Sequence, residues 1–341
     1  MVNAIALEVE SRSKELNEPI ETIYFGGGTP SLLESAHFEK IMGQVTANFH
    51  FTDLKEFTLE ANPDDITLEK VQLWKSYGIN RLSIGVQSFN EVDLRWMNRA
   101  HNAQQSIDSI LLAQEAGISN LTIDLMYGLP DLSLERWKEH IQQAIDLGVS
   151  HISAYCLTVE ERTALYKKVQ KEELIPADQD LQSEQFELLI EMLTANGFIH
   201  YEISNFGKPD FLAVHNTNYW KGKCYLGIGP SAHSYNGNQR LWNISNNHIY
   251  MNELEQGKLP LEIEELSPKN KFNELLLTGL RTMWGVDLSE LNALFPISSL
   301  FQEKITQFGE KKWMEFRNNT IFLTKSGKHF ADTISQDLFE V

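Results

Sequence analysis

From Thr22 to Leu157, short β-branched or aromatic runs alternate with longer helix-length stretches. This alternation restricts the fold more than any other feature of the chain. Strands separated by helices need crossover connections, and strands joined that way pair in parallel. The strand candidates are Thr22 to Phe25, Phe57 to Glu60, Arg81 to Val86, Leu121 to Met126 and His151 to Leu157. Their apolar content, as in RLSIGV and LTIDLM, predicts a parallel sheet covered by helices on its outer face, an α/β fold of the full or partial (β/α) barrel kind. Helix punctuation agrees: Gly78, Gly117, Gly148 and Gly197 each close an amphipathic stretch ahead of the next strand, where a left-handed cap is wanted.

From about Leu261 the grammar changes. Ser267 is placed to cap the helical segment NKFNELLLTGLRTMWG. DLSELNALF, a helix near Leu300 to Phe308, a strand pair around KWMEF and TIFLT, and a terminal helix through Gly327 to Leu338 follow. Three helices plus a hairpin predict a small winged-helix-like α+β domain over residues 261–341, leaving 1–260 to the barrel. At the other end, Val2, Ile5, Ala6 and Val9 run at helical spacing with no cap or leading strand before them. The expectation is a barrel that lacks its first strand, with an N-terminal segment missing from the chain.

Composition excludes several function classes. At 341 residues there is room for about two domains, because single cores stop growing near roughly 250–300 residues. The 29 basic and 47 acidic side chains give a net charge of −18, a field that repels phosphate backbones and anionic membranes, so no nucleic-acid partner is expected. The final domain is no exception, with nine basic against twelve acidic residues from Glu262 onward. No apolar run approaches the roughly 18–20 residues of a membrane span, and no signal peptide opens the chain, so a cytoplasmic protein is expected. Cys156 and Cys224, the two cysteines, are far apart in sequence, which suits a reducing compartment and rules out a cysteine-cluster metal site built from this chain alone.

Residues able to do chemistry gather at the strand ends. Thr22 to Ser31 reads TIYFGGGTPS, with Gly26, Gly27 and Gly28 after a strand and before a helix expected near Leu32. Glycine there lets the backbone approach a ligand, and a helix N-terminus favours an anionic group, although an ordinary turn explains three glycines equally well. Glu60, Gln87, Asp124 and Tyr155 then recur at or near the ends of successive strands, as if several strands aimed polar groups at one cavity. Arg99 is a candidate cation for a ligand carboxylate. Further on, His215-Asn216-Thr217-Asn218-Tyr219-Trp220 gathers an imidazole, two amides and two aromatic rings ahead of the glycine-rich YLGIGPSAHS loop. Such a set suits a flat, hydrophobic cofactor with His215 as axial ligand to iron.

Taken in order, IYFGGGTPSLL (Ile23 to Leu33), LEANP (Leu59 to Pro63), GINRLSIGVQSF (Gly78 to Phe89), DLMYGLP (Asp124 to Pro130) and YLGIGPSAHS closely resemble the radical S-adenosylmethionine enzymes related to oxygen-independent coproporphyrinogen III oxidase. The likeness extends to GLRTMWGVDL and LTKSGKHFADTI in the final domain, and HNTNYW resembles the HNxxYW signature of the family's haem chaperone branch. The resemblance implies that Gly27, Gly28 and Thr29 contact the methionine part of S-adenosylmethionine, that Arg99 lies near its carboxylate, and that Glu60, Gln87 and Asp124 bind its remaining methionine and ribose groups. It also implies that His215 binds haem, as ligand to its iron, with Tyr219 and Trp220 shaping the surroundings. The function so implied is a haem-binding chaperone that hands haem to a respiratory or other haem protein. Oxidative decarboxylation of coproporphyrinogen III in porphyrin biosynthesis is the alternative, and a cluster-free descendant that only binds S-adenosylmethionine or haem is a third. One departure bears on all three. The family's CxxxCxxC, whose thiolates hold a 4Fe–4S cluster, is absent, and Cys156 and Cys224 cannot replace it because cluster ligation needs three or four thiolates together. The chain as written is expected to generate no radical.

Overall fold

A computed structural model describes residues 1–16 and 18–340. The chain divides into two compact units, one of Tyr24–Leu32 and Glu56–Ala213, the other of Met1–Ile23, Leu33–Lys55 and Val214–Val341.

The first unit holds most of a seven-stranded sheet of β1 (Thr22–Phe25, whose Thr22 and Ile23 belong to the second unit), β2 (Glu56–Ala61), β3 (Arg81–Gln87), β4 (Asn120–Tyr127), β5 (His151–Cys156), β6 (Ile199–Glu202) and β7 (Asn205–Gly207), in the order β1-β2-β3-β4-β5-β7-β6. β2 to β5 pair in parallel, as crossover connections require, and lie within a residue or two of the sequence-predicted strands. The result is the expected partial (β/α) barrel. Alternation along the strands separates two faces. Leu59, Leu82 and Leu121 share one row, Ile84, Ile123 and Ile152 the next, and all are fully buried. Val71 and Trp74, Ile110 and Ala113, and Trp137 and Ile141 of the intervening helices are buried as completely. The opposite face carries polar rows: Glu60, Ser83, Thr122 and His151, then Asp124 and Ser153. Gly78, Gly117, Gly148 and Gly197 all adopt positive φ just beyond helix ends, as capping demands.

Two local expectations need correction. The helix after the triple glycine begins at Ser35, not near Leu32: Pro30–Leu32 forms a 3-10 turn, and Glu34 and His37 close a reciprocal capping box that sets the later start. The glycine turn therefore does not open directly onto an α-helix N-terminus. The β6–β7 hairpin, antiparallel to its neighbours, extends the sheet beyond the five predicted strands.

The second unit contains an antiparallel meander of β8 (His233–Tyr235), β9 (Gln239–Asn243) and β10 (Leu261–Glu265). A small α+β domain follows: helices Pro268–Gly279, Leu288–Leu294, Ser299–Glu310 and Ala331–Asp337 around β11 (Val286–Asp287), β12 (Met314–Arg317) and β13 (Thr320–Leu323), with β13 central. Ser267 caps its first helix, accepting from the Asn270 amide. That helix stops at Gly279, short of the predicted Gly285, where the Thr282 hydroxyl donates to the Gly279 carbonyl.

The N-terminal helix, Val2–Ser11, carries an ion pair that fixes distant parts of this unit. Glu8 and Arg12 are both fully buried and meet at 3.0 Å. Glu8 also accepts from Asn243 Nδ2 at 2.7 Å, the Gly229 amide at 2.8 Å and the Tyr250 hydroxyl at 2.6 Å. Arg12 donates to the Gly227 carbonyl at 2.9 Å and Ser234 Oγ at 3.0 Å. The pair thus pins the YLGIGPSAHS loop at both Gly227 and Gly229. Arg12 also donates from Nε and Nη2 to Glu15, both at 2.8 Å, so Glu8→Ala would leave it one carboxylate while stranding the three other donors, at roughly 1–3 kcal/mol for each buried donor left unpaired. In a thermal melt its midpoint should fall by on the order of 10 °C, whereas the exposed Glu10→Ala should match the wild type. Equal midpoints for both variants would show that the pair does not hold the loop.

Candidate functional site

The glycine turn at the end of β1 closes on a carboxylate. Glu60, at the end of β2, accepts from the Tyr24 hydroxyl at 2.6 Å through Oε1 and from the Gly27 amide at 3.0 Å through Oε2. Burial, and the charge of Glu60 next to it, hold the Tyr24 phenol well above its ordinary range, so it stays a donor. Gly27 and Gly28 need glycine for their positive φ of 71° and 65°. Gly26 needs it for space, since a methyl group there would press on the Tyr24 ring and lie 2.8 Å from Glu60 Oε1. Thr29 begins the 3-10 turn, its carbonyl accepting from the Leu32 amide at 3.1 Å.

Gln87 is placed by a bulge. Ile84 pairs with Ile123, but Gln87 pairs with Leu125, so β3 carries one residue more than β4 between the two pairings. Gln87 takes a φ of 66°, a conformation uncommon outside glycine and one that concentrates at ligand sites. The bulge turns its amide toward Arg99, which lies between helices Glu91–Trp96 and Ala103–Glu115. Arg99 Nη2 donates to Asn62 Oδ1 at 2.9 Å and to the Gly85 carbonyl at 3.3 Å, while its buried Nε has no hydrogen-bond partner among the described residues. A methyl group on Gly85 would sit 3.3 Å from both Arg99 Nη2 and Gln87 Nε2, which shows how closely the three converge.

Asp124 completes the set from the polar face of β4. Its carboxyl is pushed up to about 7, by burial first and by the charge of Glu60 second, against the opposing charges of Arg99 and Arg81. A hydrogen bond with Ser153 also opposes the rise, and Ser153 Oγ donates to Asn205 Oδ1 at 2.9 Å. Tyr155, exposed at 45 %, has its phenol raised to about 12 by burial of the hydroxyl end and by Asp124. The structure therefore brings Gly27, Glu60, Gln87, Arg99 and Asp124 into one charge-coupled group on the polar side of the sheet. Tyr24, Gly26 and Asn62 belong to this group and were not singled out from the sequence. Tyr24 reads as one more strand aromatic there, although its two-residue spacing from Gly26 puts both on the same side of the strand.

In the second unit, His215 and Tyr219 stand one turn apart on the helix Val214–Trp220. His215 Nε2 lies 2.8 Å from the Tyr219 hydroxyl, and Nδ1 lies 2.8 Å from Thr22 Oγ1. The Tyr219 ring packs edge-on against Tyr225 with centroids 4.5 Å apart, and Tyr225 neighbours Tyr235. The Trp220 ring lies beneath the Arg281 guanidinium at 5.6 Å. An imidazole held at both nitrogens and bordered by aromatic rings has the chemistry of a ligand to a metal in a flat hydrophobic group.

An iron–sulfur cluster does not fit the residues present. Among the described residues no three His, Cys, Asp or Glu side chains are grouped to hold a metal ion. Cys156 is unsuited even singly, because burial raises its thiol to about 11 and keeps it protonated, whereas ligation needs the thiolate.

Residues 4–144, which take in most of this half-barrel and its strand-end group, match the Radical SAM superfamily. Residues 266–339 match the HemN C-terminal domain. The chain belongs to the family of radical SAM proteins that includes the heme chaperones HemW. It is 33 % identical to heme chaperone HemW of Lactococcus lactis over 93 % of this chain and 84 % of that protein. The corresponding protein of Bacillus subtilis is 32 % identical over 98 % of this chain and 89 % of its own length. In fold the chain is similar to coproporphyrinogen III oxidase (HemN) from Escherichia coli, with a TM-score of 0.85 at 21 % identity, covering 99 % of this chain and 82 % of that one.

The position of Asp124 makes stability depend on pH. Its folded value lies above the ordinary 3.8, so the folded chain holds this proton more tightly than the unfolded chain does. The resulting stabilisation is complete below about pH 4 and is lost as the pH rises to about 7. Across this window the wild-type melting midpoint should fall relative to that of Asp124→Asn. Parallel curves for the two proteins would show that Asp124 ionises at its ordinary value.

Proposed function

We propose that this chain is a haem-binding chaperone that delivers haem to a haem protein. The observation that supports this best is the His215 imidazole, ordered at both nitrogens, in the HNTNYW segment of a chain whose most similar relatives include proteins named heme chaperones. In this reading His215 is the ligand to haem iron, Tyr219 borders it, and a respiratory or other haem protein receives the haem. Handing haem on requires no bond to be made or broken in the porphyrin, only ligation that can be reversed. A cytoplasmic location is part of the same proposal; no helix among the described residues is long and apolar enough to cross a membrane.

The first unit's polar group is proposed to hold S-adenosylmethionine. Arg99 supplies a fixed cation for the methionine carboxylate, the Gly27–Gly28–Thr29 turn offers its backbone to the methionine, and Glu60, Gln87 and Asp124 take the amino and ribose groups. Two carboxylates beside one arginine suit a ligand that combines a sulfonium, an ammonium and a carboxylate. S-adenosylmethionine brings a sulfonium whose reductive cleavage, in this superfamily, depends on a 4Fe–4S cluster. We assign residues 1–260 to these ligand sites and 261–341 to a separate C-terminal domain.

Oxidative decarboxylation of coproporphyrinogen III is the alternative, and it requires the cluster thiolates that these residues do not supply. Decarboxylated tetrapyrrole formed in an anaerobic assay of cluster-reconstituted protein would replace the chaperone reading. In a haem titration the wild type should develop a Soret change that His215→Ala lacks, and equal binding by both would refute the assignment. Calorimetric titration with S-adenosylmethionine should show Arg99→Ala weakened by roughly tenfold to hundredfold, the worth of a charged hydrogen bond. Unaltered affinity would remove Arg99 from the site.

A further inference from the structure

We propose that Thr22 is the positioning residue of the His215 site and that the Tyr219 hydroxyl is a cap that haem must displace. This rests on the haem reading above and goes beyond it, because it specifies which imidazole nitrogen meets the iron and what holds it ready. A neutral imidazole can ligate only through the nitrogen that bears no proton, and the partner of the other nitrogen decides which one that is. Nδ1 lies 2.8 Å from Thr22 Oγ1 and Nε2 lies 2.8 Å from the Tyr219 hydroxyl. Each contact permits either direction of donation, so the donors must be compared. A phenol, with an ordinary value near 10, donates more strongly than an aliphatic hydroxyl. Tyr219 therefore donates to Nε2, and Nδ1–H donates to Thr22. The lone pair of Nε2 is then the one presented to iron.

Thr22 is well held for this task. The Ile20 amide donates to the His50 carbonyl at 2.9 Å, and the Lys55 amide donates to the Glu21 carbonyl at 2.8 Å. Glu21 also pairs with Lys55 at 3.1 Å and with Lys223, beyond the His215 helix, at 3.0 Å. The cap is less constrained: Tyr219 is 39 % exposed, and its edge-on contact with Tyr225 can persist while the hydroxyl swings away from Nε2.

The test is haem titration of the full chain and four variants, with resonance Raman spectra of the reduced complexes. Thr22→Val preserves shape and strand preference but cannot accept from Nδ1. It should bind haem roughly 10–100-fold more weakly, as loss of a ligand's orienting partner does, and its iron–histidine stretching band should move to lower frequency. Thr22→Ser should restore both. Tyr219→Phe should bind roughly twofold to tenfold more tightly, since one hydrogen bond no longer has to be broken. If Thr22→Val keeps wild-type affinity and band position while His215→Ala loses haem, the positioning role is overturned and the haem reading stands. Weaker binding by Tyr219→Phe would overturn the cap in the same way. Wild-type binding by His215→Ala would overturn the haem reading, and this inference with it.

Discussion

Burying hydrogen-bonding and charged side chains on the polar face of the β2–β5 sheet is costly unless each finds a partner, and the two ends of the strands meet that cost differently. At the strand starts the network is closed. Arg81 lies 4.0 Å from Glu56, donates to Asn120 at 2.6 Å and reaches Thr122; Thr122 meets His151 Nδ1 at 3.1 Å, and His151 Nε2 meets the Tyr201 hydroxyl at 2.8 Å. Burial, with the charge of Arg81 second, keeps His151 well below its usual range, so it joins the chain as a neutral ring. Such a network secures the sheet and leaves little for a ligand to gain. At the strand ends the account stays open. The Arg99 Nε lacks a hydrogen-bond partner among the described residues, and Asp124 meets its burial by holding a proton to about neutral pH. A ligand with a positive centre gains most there, which agrees with the general placement of active sites at the carboxyl ends of parallel strands.

Much of this frame was legible in the sequence because it follows from periodicity. Runs such as RLSIGV announce both the strand and its two faces, and the four glycines announce the helix ends. The sites were legible in residue type but not in geometry. Nothing in the letters around Gln87 says that it leaves the ladder at a bulge with positive φ, because tertiary partners impose that conformation on a residue that does not prefer it. Tyr24 and Gly26 were hidden for a related reason: their roles arise from Glu60, 36 residues beyond Tyr24. The late helix start at Ser35 came from a capping box between Glu34 and His37, a pair outside the usual Ser/Thr and Glu/Gln pattern.

The second unit depends on contacts of a longer kind. Glu8 and Asn243 are 235 positions apart, yet they share a buried hydrogen bond that helps shape the loop after the HNTNYW helix. Breaking such a pair is costly because the charge left behind is buried. The N-terminal helix is thus part of the scaffold around Gly227 to Ser234, although its own sequence, VNAIALEVES, advertises only an amphipathic stripe. Burial of Glu8 and Arg12 could not be anticipated from helical spacing, which places charged residues at solvent by default.

The two candidate sites ask opposite things of their surroundings. One gathers charged groups and tolerates strain at Gln87; the other engages a single imidazole at both of its nitrogens. The fold shared with the Escherichia coli oxidase accommodates both and decides between neither function, because function lies in the groups placed on a fold. Radical chemistry requires thiolates for a cluster, and the two cysteines of this chain do not make a set of three. Reversible ligation of haem requires only that one nitrogen lone pair be presented and then released. In the reading proposed above, the contacts of His215 with Thr22 and Tyr219 would supply both halves of that requirement, one by orienting Nδ1 and the other by competing for Nε2. In that proposal the Tyr219 hydroxyl would compete for Nε2 with only the strength of a neutral hydrogen bond, which ligation to iron would exceed and release would restore.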